Sequence, residues 1–442
     1  MGYLQDFAQF AATAVPDETA RAKTALILAD TLAAIVGGAV EPDVTALRTR
    51  LAAQAPGPCA VIGGGMAANA TTAALLNGTA GTTLEMDEGH QFAKGHPGIH
   101  VIPAALAEAV QHRLTGAELI DAIAVGYEAA ARVGTATRLR GSMHPHGTWG
   151  AIGAAVAVLR LRGAGPERMV EAMNMAANLG STSSRRTMLE GGTVRNLLAG
   201  VANQMGLLAA DLAETGFTGD HDGVGHVFGK VSGESFDPAV MVRDLGAPWE
   251  VMRNYFKMHS CCRFNHAALD ALDMIRREHA VDPAAVESVA VESYAFAAEL
   301  DDPAPRNVLA AKFSIPFAVA TSLVTGSTKV GSFTGDRVAD PSIRALAAKV
   351  TVAEDPAMSA RLPDHRPARV TLRMTDGASL SAETETNRGD WTDPYGVDEI
   401  KDKYMSLTTR AWSAAQAEEM WAAIHALPSA GSAQGLLDLL GA

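Results

Sequence analysis

The sequence is poor in the residues that build disulfide frameworks and cysteine-based metal sites. It has three cysteines, Cys59, Cys261 and Cys262. No Cys-x-x-Cys pair is present, so this chain alone cannot supply four thiolates to a zinc ion or an iron–sulfur cluster. The adjacent pair, Cys261 and Cys262, would strain a mutual bridge. We therefore expect a reducing, cytoplasmic setting and structural rather than nucleophilic cysteines.

Long apolar runs and positive charge are also scarce. Apolar stretches such as residues 151–159 fall well short of the roughly 20 residues that cross a bilayer. The first 14 residues lack the basic start and apolar run of a secretory signal. With 36 Lys and Arg against 49 Asp and Glu, the net charge is −13, which opposes binding to polyanions. We expect no membrane and no nucleic-acid partner, and we expect any anionic substrate to be held by a few clustered cations.

Alanine, leucine and methionine at helical spacing dominate the first part of the chain. With 442 residues, two domains are expected. Between Asp17 and Val36 the apolar positions recur as on a core helix, which Gly37 and Gly38 end. The same pattern recurs over residues 67–84, 101–112, 116–134, 147–161, 166–179 and 196–215. Aromatic residues make up only 5%, and small side chains let helices approach closely, so a tightly packed helical bundle is predicted.

The pattern changes beyond His266. Residues 286–296, 367–374 and 379–386 alternate as strands do, and helical patterns at 307–325 and 341–349 lie among them, as in an α+β layer. Helical spacing returns after Pro394. The predicted fold is mainly α: a large all-α helical domain over residues 1–262, completed by 394–442, and a smaller α+β domain over 263–393.

The segment most crowded with ionisable groups is TTLEMDEGHQFAKGHPGIHVIP, residues 82–103. Its ionisable residues are Glu85, Asp87, Glu88, His90, Lys94, His96 and His100. Several glycines and Pro97 predict a loop between two apolar helices, where functional residues are common; a solvated turn is the alternative. The His96-x-x-x-His100 spacing runs through Pro97 and Gly98, which argues against a regular helix and makes a metal site the less favoured interpretation.

Three further clusters carry groups that suit an anionic substrate. Residues 142–155 place two histidines before a Gly- and Ala-rich helix, residues 183–200 hold arginines around two glycines, and residues 254–272 lead polar groups into a helix. The residues concerned are His144 and His146; Arg185, Arg186 and Arg195; and Lys257, His259, Cys262, Arg263 and His266. Helix N-termini and guanidinium forks bind carboxylates. The structural alternatives are a satisfied histidine pair, a basic turn and a solvated helix start.

These segments resemble the MmgE/PrpD family, which includes 2-methylcitrate dehydratases, cis-aconitate decarboxylases and iminodisuccinate epimerase. The phrases that carry the resemblance are NGTAGTTLEMDEGH at 77–90, GHPGIHVIPAALA from Gly95, MHPHGTWGAIGAA, VRNLLAG and FKMHSCCRFNHAALDA. It runs nearly end to end. It implies a large all-α domain, a smaller α+β lid, a homodimer, and cofactor-independent, metal-free chemistry at the domain interface. By motif, Asp87, His96, His144, Arg195 and Lys257 fall where the family places site residues.

The resemblance implies a lyase that removes water or carbon dioxide from a small di- or tricarboxylate. Its catalytic residues would be His96, His144, Lys257 and Asp87, with the histidines moving protons and Asp87 orienting one imidazole. The substrate-binding residues would be Arg195, His90, Arg186, Cys262 and Arg263.

Four residues differ from those that are common in the family, and these differences bear on which substrate is bound. Glu85 stands where many members have aspartate, Gly89 where threonine is common, and Arg195 where decarboxylase-like members have lysine. Pro316 falls about where the decarboxylases have a tyrosine. These differences argue against assigning a specific substrate.

Three alternatives stay open at this point. An epimerase or isomerase would use the same base without a leaving group. A metal-dependent hydrolase would use His90, His96, His144 and Asp87. The third is a non-catalytic helical binding protein. The sequence leaves open the substrate, the stereochemistry, and which histidine is acid and which base.

Overall fold

The computed structural model describes residues 2–441 and consists mainly of α-helices. The helices are α1 Tyr3–Thr13, α2 Glu18–Ala39, α3 Pro42–Ala52, α4 Ala70–Thr83, α5 Pro97–Ala109, α6 Gly116–Ala136, α7 Gly150–Leu161, α8 Pro166–Leu179, α9 Arg186–Leu189, α10 Leu198–Glu214, α11 Gly223–His226, α12 Pro238–Val242, α13 Arg263–Glu278, α14 Ala295–Ala298, α15 Val308–Lys312, α16 Ile315–Thr325, α17 Gly335–Ala339, α18 Pro341–Ala347, α19 Pro356–Ser359, α20 Val397–Thr408, α21 Ala414–Ala426 and α22 Gln434–Gly441. The mainly α class is thus confirmed.

Ten short strands accompany the helices. They are β1 Cys59–Val61, β2 Met66–Ala68, β3 Gly89–His90, β4 Thr137–Leu139, β5 Gly233–Phe236, β6 Asn254–Tyr255, β7 Val286–Ser293, β8 Val350–Glu354, β9 Ala368–Met374 and β10 Ser379–Thr384. One-turn 3₁₀ segments include Thr193–Leu197 and Glu250–Arg253.

The chain folds into two compact units. The first contains Met1–Ser184, Val194–Tyr255 and Gly396–Ala442, and the second contains Arg185–Thr193 and Phe256–Tyr395. The sequence-based boundaries at 262/263 and 393/394 differ from this division, which also places residues 185–193 with the second unit. Hydrophobic periodicity shows which face of a helix is buried but not which core the helix joins. The assignment of these nine residues to the second unit could therefore not be predicted from the sequence.

The first unit is a bundle in which α7 packs against α5, α6, α8 and α10, and α2 packs against α4, α6 and α20. Small residues allow the close approach that the composition predicts. A Cβ atom at Gly78 in α4 would lie 2.7 Å from the Cα atom of Gly200 in α10, and one at Gly153 in α7 would lie 2.7 Å from the carbonyl oxygen of Gly126 in α6. Any larger residue at these crossings would push two helices apart.

Helix α2 begins where the sequence predicts, with the Asp17 side chain accepting the Ala20 backbone N–H as an N-cap. It is long and apolar enough to cross a membrane, yet 83% of its most apolar window is buried inside the protein. Its apolar surface is covered by neighbouring helices, as in a core helix.

The all-α prediction for the first domain needs one correction. Three two-stranded antiparallel sheets, β1–β2, β3–β6 and β4–β5, lie among the helices of the first unit. Strands of two to four residues are too short to show a period-2 pattern, so the sequence did not indicate them. The β3–β6 pair matters for function, because it holds the acidic loop described below.

The second unit contains a four-stranded sheet in the order β10-β9-β7-β8. The predicted strands β7, β9 and β10 pair antiparallel, and β8, which the alternation did not indicate, pairs parallel with β7 in the register Val289↔Val350. Helices α13 and α16 contribute to the same apolar core as the inward residues of β7 and β9. The predicted helix over 307–325 is broken between α15 and α16, where the Ser314 side chain caps a new helix start.

Candidate active site

The acidic loop between α4 and α5 is fixed in the first unit by backbone contacts. Strand β3 pairs with β6, His90 with Asn254, and the His90 N–H donates to the Gly95 carbonyl oxygen at 2.8 Å. The Lys403 ammonium, from α20, donates to the Met86 carbonyl oxygen at 2.6 Å. The ionisable residues of this loop other than Lys94 are buried inside the protein, and the solvated-turn alternative is wrong for it.

His96 closes the loop and begins α5. The sequence predicts that Pro97 and Gly98 prevent a regular helix here, and this prediction is wrong. Pro97 occupies the first helical position, where its missing N–H costs nothing and its fixed φ suits a helix. His96 is the N-cap residue and His100 lies in the first turn. Later in the helix Pro103 cannot donate to Ile99, and the Asn203 side-chain amide donates to that carbonyl oxygen instead, at 2.8 Å.

The His96 imidazole faces two oxygens through one nitrogen. Its Nδ1 lies 2.6 Å from the Glu88 carbonyl oxygen and 3.3 Å from Oδ2 of Asp87. A carbonyl oxygen can only accept, so Nδ1 carries the proton, and in the neutral ring Nε2 then carries the basic lone pair. Asp87 is 1% exposed and His96 8%. A buried carboxylate beside Nδ1–H orients the ring and stabilises the imidazolium that forms when Nε2 accepts a proton.

The second histidine segment lies before α7, as the sequence predicts. The His144 backbone N–H donates to the Ser183 carbonyl oxygen at 2.9 Å, and the His146 backbone N–H donates to Nδ1 of His144 at 3.1 Å. Nε of Arg195 lies 3.5 Å from Nε2 of His144. Both ring nitrogens of His144 therefore face N–H donors, and a neutral imidazole can accept at only one of them.

Arg195 is a buried cation in the same unit. It is 1% exposed and forms an ion pair with Glu85, which is also 1% exposed. Its Nη1 lies 3.5 Å from the Thr82 carbonyl oxygen, at the end of α4, and its Nη2 lies 3.4 Å from Nε2 of His146. The guanidinium thus connects the acidic loop to the histidine segment.

His90 has both ring nitrogens engaged within the protein. Nδ1 accepts the Ala93 backbone N–H at 3.1 Å, and Nε2 lies 2.9 Å from Oε2 of Glu250. Burial raises the pKa of Glu250, but the hydrogen bond with His90 and the positive charges of Arg253 and Arg132 outweigh it and hold that pKa below its usual range. Glu128 accepts the Glu250 backbone N–H at 2.7 Å. This arrangement anchors the loop and differs from the substrate-binding role that the sequence predicts for His90.

His100, not assigned a role by the sequence analysis, ties the two histidine segments together. Its Nδ1 donates to the His96 carbonyl oxygen at 2.7 Å, and its Nε2 accepts the Gly147 backbone N–H at 3.2 Å. Complete burial lowers the pKa of His100 to about 4, so it is neutral at physiological pH. The position of this residue, four after His96 and following Pro97, is the signal that could have identified it.

Four candidate residues lie in the second unit. Lys257 is buried there, and Cys262 is the N-cap residue of α13. Arg263 donates to Asn387 at 2.5 Å and pairs with Asp390. Arg186 is exposed and pairs with Glu190, the residue that follows α9. An exposed pair of this kind contributes little energy. The first unit by itself brings together Asp87, His96, His144 and Arg195.

Residues 2–441 contain no group of three or more His, Cys, Asp or Glu side chains arranged to hold a metal ion. The metal-dependent hydrolase, left open as an alternative by the sequence, would use His90 and His96, but His90 contacts Glu250 and His96 contacts the Glu88 carbonyl oxygen. These orientations give a metal-dependent hydrolase no support.

Comparison with known proteins gives two family matches that together span most of the chain. The MmgE/PrpD N-terminal domain matches residues 5–230, and the MmgE/PrpD C-terminal domain matches residues 259–428. A cis-aconitate decarboxylase from Aspergillus terreus is 24% identical over 455 residues, covering 96% of this chain and 92% of that protein. Cis-aconitate decarboxylases from Mus musculus and Homo sapiens are 25% and 23% identical, covering 77% and 78% of this chain and 72% and 73% of those proteins.

Proposed function

Because the chain belongs to the MmgE/PrpD family and is an enzyme of the lyase type, we propose that it removes carbon dioxide or water from a small di- or tricarboxylate without a cofactor. The observation that carries this proposal is the orientation of His96, whose Nδ1–H faces the Glu88 carbonyl oxygen and Asp87. This leaves Nε2 as the proton-accepting atom, backed by a buried carboxylate. A positioned nitrogen lone pair of this kind suits a general base.

His96 handles the proton at the reacting carbon in either reaction. In dehydration, Nε2 takes the proton from the carbon next to a carboxylate, and the electron pair left behind expels the hydroxyl group, which takes up the proton that His96 has accepted and leaves as water. In decarboxylation, the bond to the carboxylate breaks, carbon dioxide leaves, and the electron pair stays on the carbon, where the His96 imidazolium supplies a proton. Asp87 stabilises the imidazolium in both cases.

Arg195 supplies positive charge for the negative charge that develops, and His144 lies beside it. The Arg195 guanidinium is permanently charged and suits a carboxylate, while its ion pair with Glu85 limits the cost of burying it. Nε of Arg195 lies 3.5 Å from Nε2 of His144, so the imidazole is next to the guanidinium. We assign the base to His96 and expect His144 to act beside Arg195 on the developing negative charge.

Several sequence predictions remain proposals. We expect Lys257 to add a second cation to the site. We also expect a homodimer in a cytoplasmic setting. An epimerase would use the same His96 base without a leaving group. Analytical ultracentrifugation tests the dimer, and a Lys257→Met variant with unchanged turnover would remove Lys257 from the mechanism.

The test of the proposed function is a screen of small di- and tricarboxylates with product masses read by mass spectrometry. A product lighter by carbon dioxide or by water supports the lyase. Incubation of the same compounds in deuterated water, followed by NMR, distinguishes the alternative. Deuterium exchange at the α-carbon with no loss of mass would refute the lyase and favour the epimerase. Full activity after dialysis against a chelator is also expected.

A further inference from the structure

His146 lies at the centre of the histidine cluster and was assigned no role by the sequence analysis. Its ring centroid is 4.9 Å from that of His96, 5.0 Å from that of His100 and 4.7 Å from that of His144, all edge-on. The residue is 1% exposed. It thus lies between His96, which we propose as the base, and His144.

The hydrogen-bond partners of His146 define its tautomer. Nε2 lies 3.4 Å from Nη2 of Arg195, and a guanidinium can only donate, so Nε2 accepts. Burial first, and then the positive charge of Arg195, lower the pKa of His146 well below its usual range, so the ring is neutral. Its single N–H is therefore on Nδ1. That nitrogen is buried and has no hydrogen-bond partner among residues 2–441.

A buried N–H donor without an acceptor is destabilising, and native structures rarely keep one without a reason. The neighbouring groups that could bind a ligand are the Arg195 guanidinium and the His144 imidazole, and these suit an anionic oxygen. We propose that Nδ1–H of His146 is a substrate-binding donor, which hydrogen-bonds a carboxylate oxygen of the substrate. This inference rests on the proposed function and adds a residue that fixes the orientation of the carboxylate.

Two isosteric variants separate the two nitrogens of the ring. The side-chain amide of His146→Asn lies near the position of Nδ1 and keeps a donor there. The side-chain amide of His146→Gln lies near the position of Nε2, so it keeps an acceptor for Arg195 but no donor at the Nδ1 position. The exposed His221, changed to Gln, is the matched control. Binding of succinate and of citrate is measured by calorimetry, and KM and kcat are measured on the carboxylate found by the screen.

We expect His146→Asn to bind the better of the two probes within about 3-fold of wild type, and His146→Gln to bind about 10- to 100-fold more weakly, as expected when a hydrogen bond to a charged group is lost. KM should follow the same order and kcat should change less. His221→Gln should match wild type. Equal binding by the Gln variant, or equal loss in both variants, would overturn the proposal.

A second measurement uses the wild-type chain and does not depend on a variant folding. With ¹⁵N-labelled histidine, the Nδ1–H proton of His146 should move downfield as succinate or citrate is added. An unchanged signal at saturation would contradict the proposal. The two proposals can fail separately, because binding is measured without turnover. A screen with no mass change would refute the lyase proposal but not the His146 proposal.

Discussion

Replacing Lys403 by Met should destabilise the first unit by removing one partner of a buried ion pair. The Lys403 ammonium, 5% exposed, donates to Oδ1 of Asp30 in α2 and to the Met86 carbonyl oxygen, each at 2.6 Å. Asp30 is completely buried. Breaking a buried pair from one side costs about 3–5 kcal/mol, a large share of the 5–15 kcal/mol that stabilises a typical protein.

The loss should depend on pH in a defined direction. Burial raises the pKa of Asp30 above its usual value, although Lys403 opposes this. Without Lys403 the pKa rises further, so the folded variant binds a proton that the unfolded chain has released. An acid whose folded pKa is raised loses stability as pH rises. The destabilisation should therefore be larger at pH 8 than at pH 5.5.

Urea unfolding followed by tryptophan fluorescence measures the effect. Four of the five tryptophans, all except Trp391, lie in the first unit, so the signal reports mainly on that unit. The double variant Asp30→Leu with Lys403→Met should recover most of the loss, because replacing a buried pair by apolar residues is often neutral. A Lys403→Met variant as stable as wild type at pH 8 would refute the reasoning.

Three further predictions concern residues of the site. Asp87→Asn should lower kcat about 10²- to 10⁴-fold with little change in KM or in circular dichroism, because the His96 imidazolium loses its carboxylate; unchanged kcat would contradict this role. Burial raises the pKa of Glu88 to about 8, so its contribution to stability is lost between about pH 5 and pH 8, and Glu88→Gln should flatten the urea-unfolding pH profile there. Arg195→Gln should cost about 3–5 kcal/mol of stability; adding Glu85→Gln should restore stability but not substrate binding, and restored binding would remove Arg195 from the site.

The long helices were predictable because a helix shows its buried face in the order of its own residues. Helix α2 and its Asp17 cap, and helix α6, follow from local spacing alone. The strand β8 was not predictable, since its pairing partner β7 lies elsewhere in the chain and its five residues do not alternate clearly. Short two-stranded sheets such as β3–β6 could not be predicted either, because their paired strands also lie far apart in the sequence.

The candidate site, too, was predictable only where its signal is local in the sequence. The local crowding around Asp87 and His96 was visible in the sequence, and so was the His144 segment. Their partners were not, because Lys403 meets Met86 and Glu250 meets His90 from distant parts of the chain. The histidine tautomers could not be predicted either, because they depend on contacts with backbone atoms such as the Glu88 carbonyl oxygen.

The central claim is that Nε2 of His96 moves the proton at the reacting carbon. The most direct test is turnover in deuterated water on the carboxylate found by the screen, comparing wild type with His96→Gln and following deuterium at that carbon by NMR. If carbon dioxide is lost, the account predicts deuterium at this carbon of the wild-type product; if water is lost, it predicts a product that lacks the proton at this carbon and recovered substrate that carries deuterium there. For His96→Gln it predicts no deuterium and no turnover above about 1%. A His96→Gln variant that folds and still deuterates the carbon at the wild-type rate would contradict it.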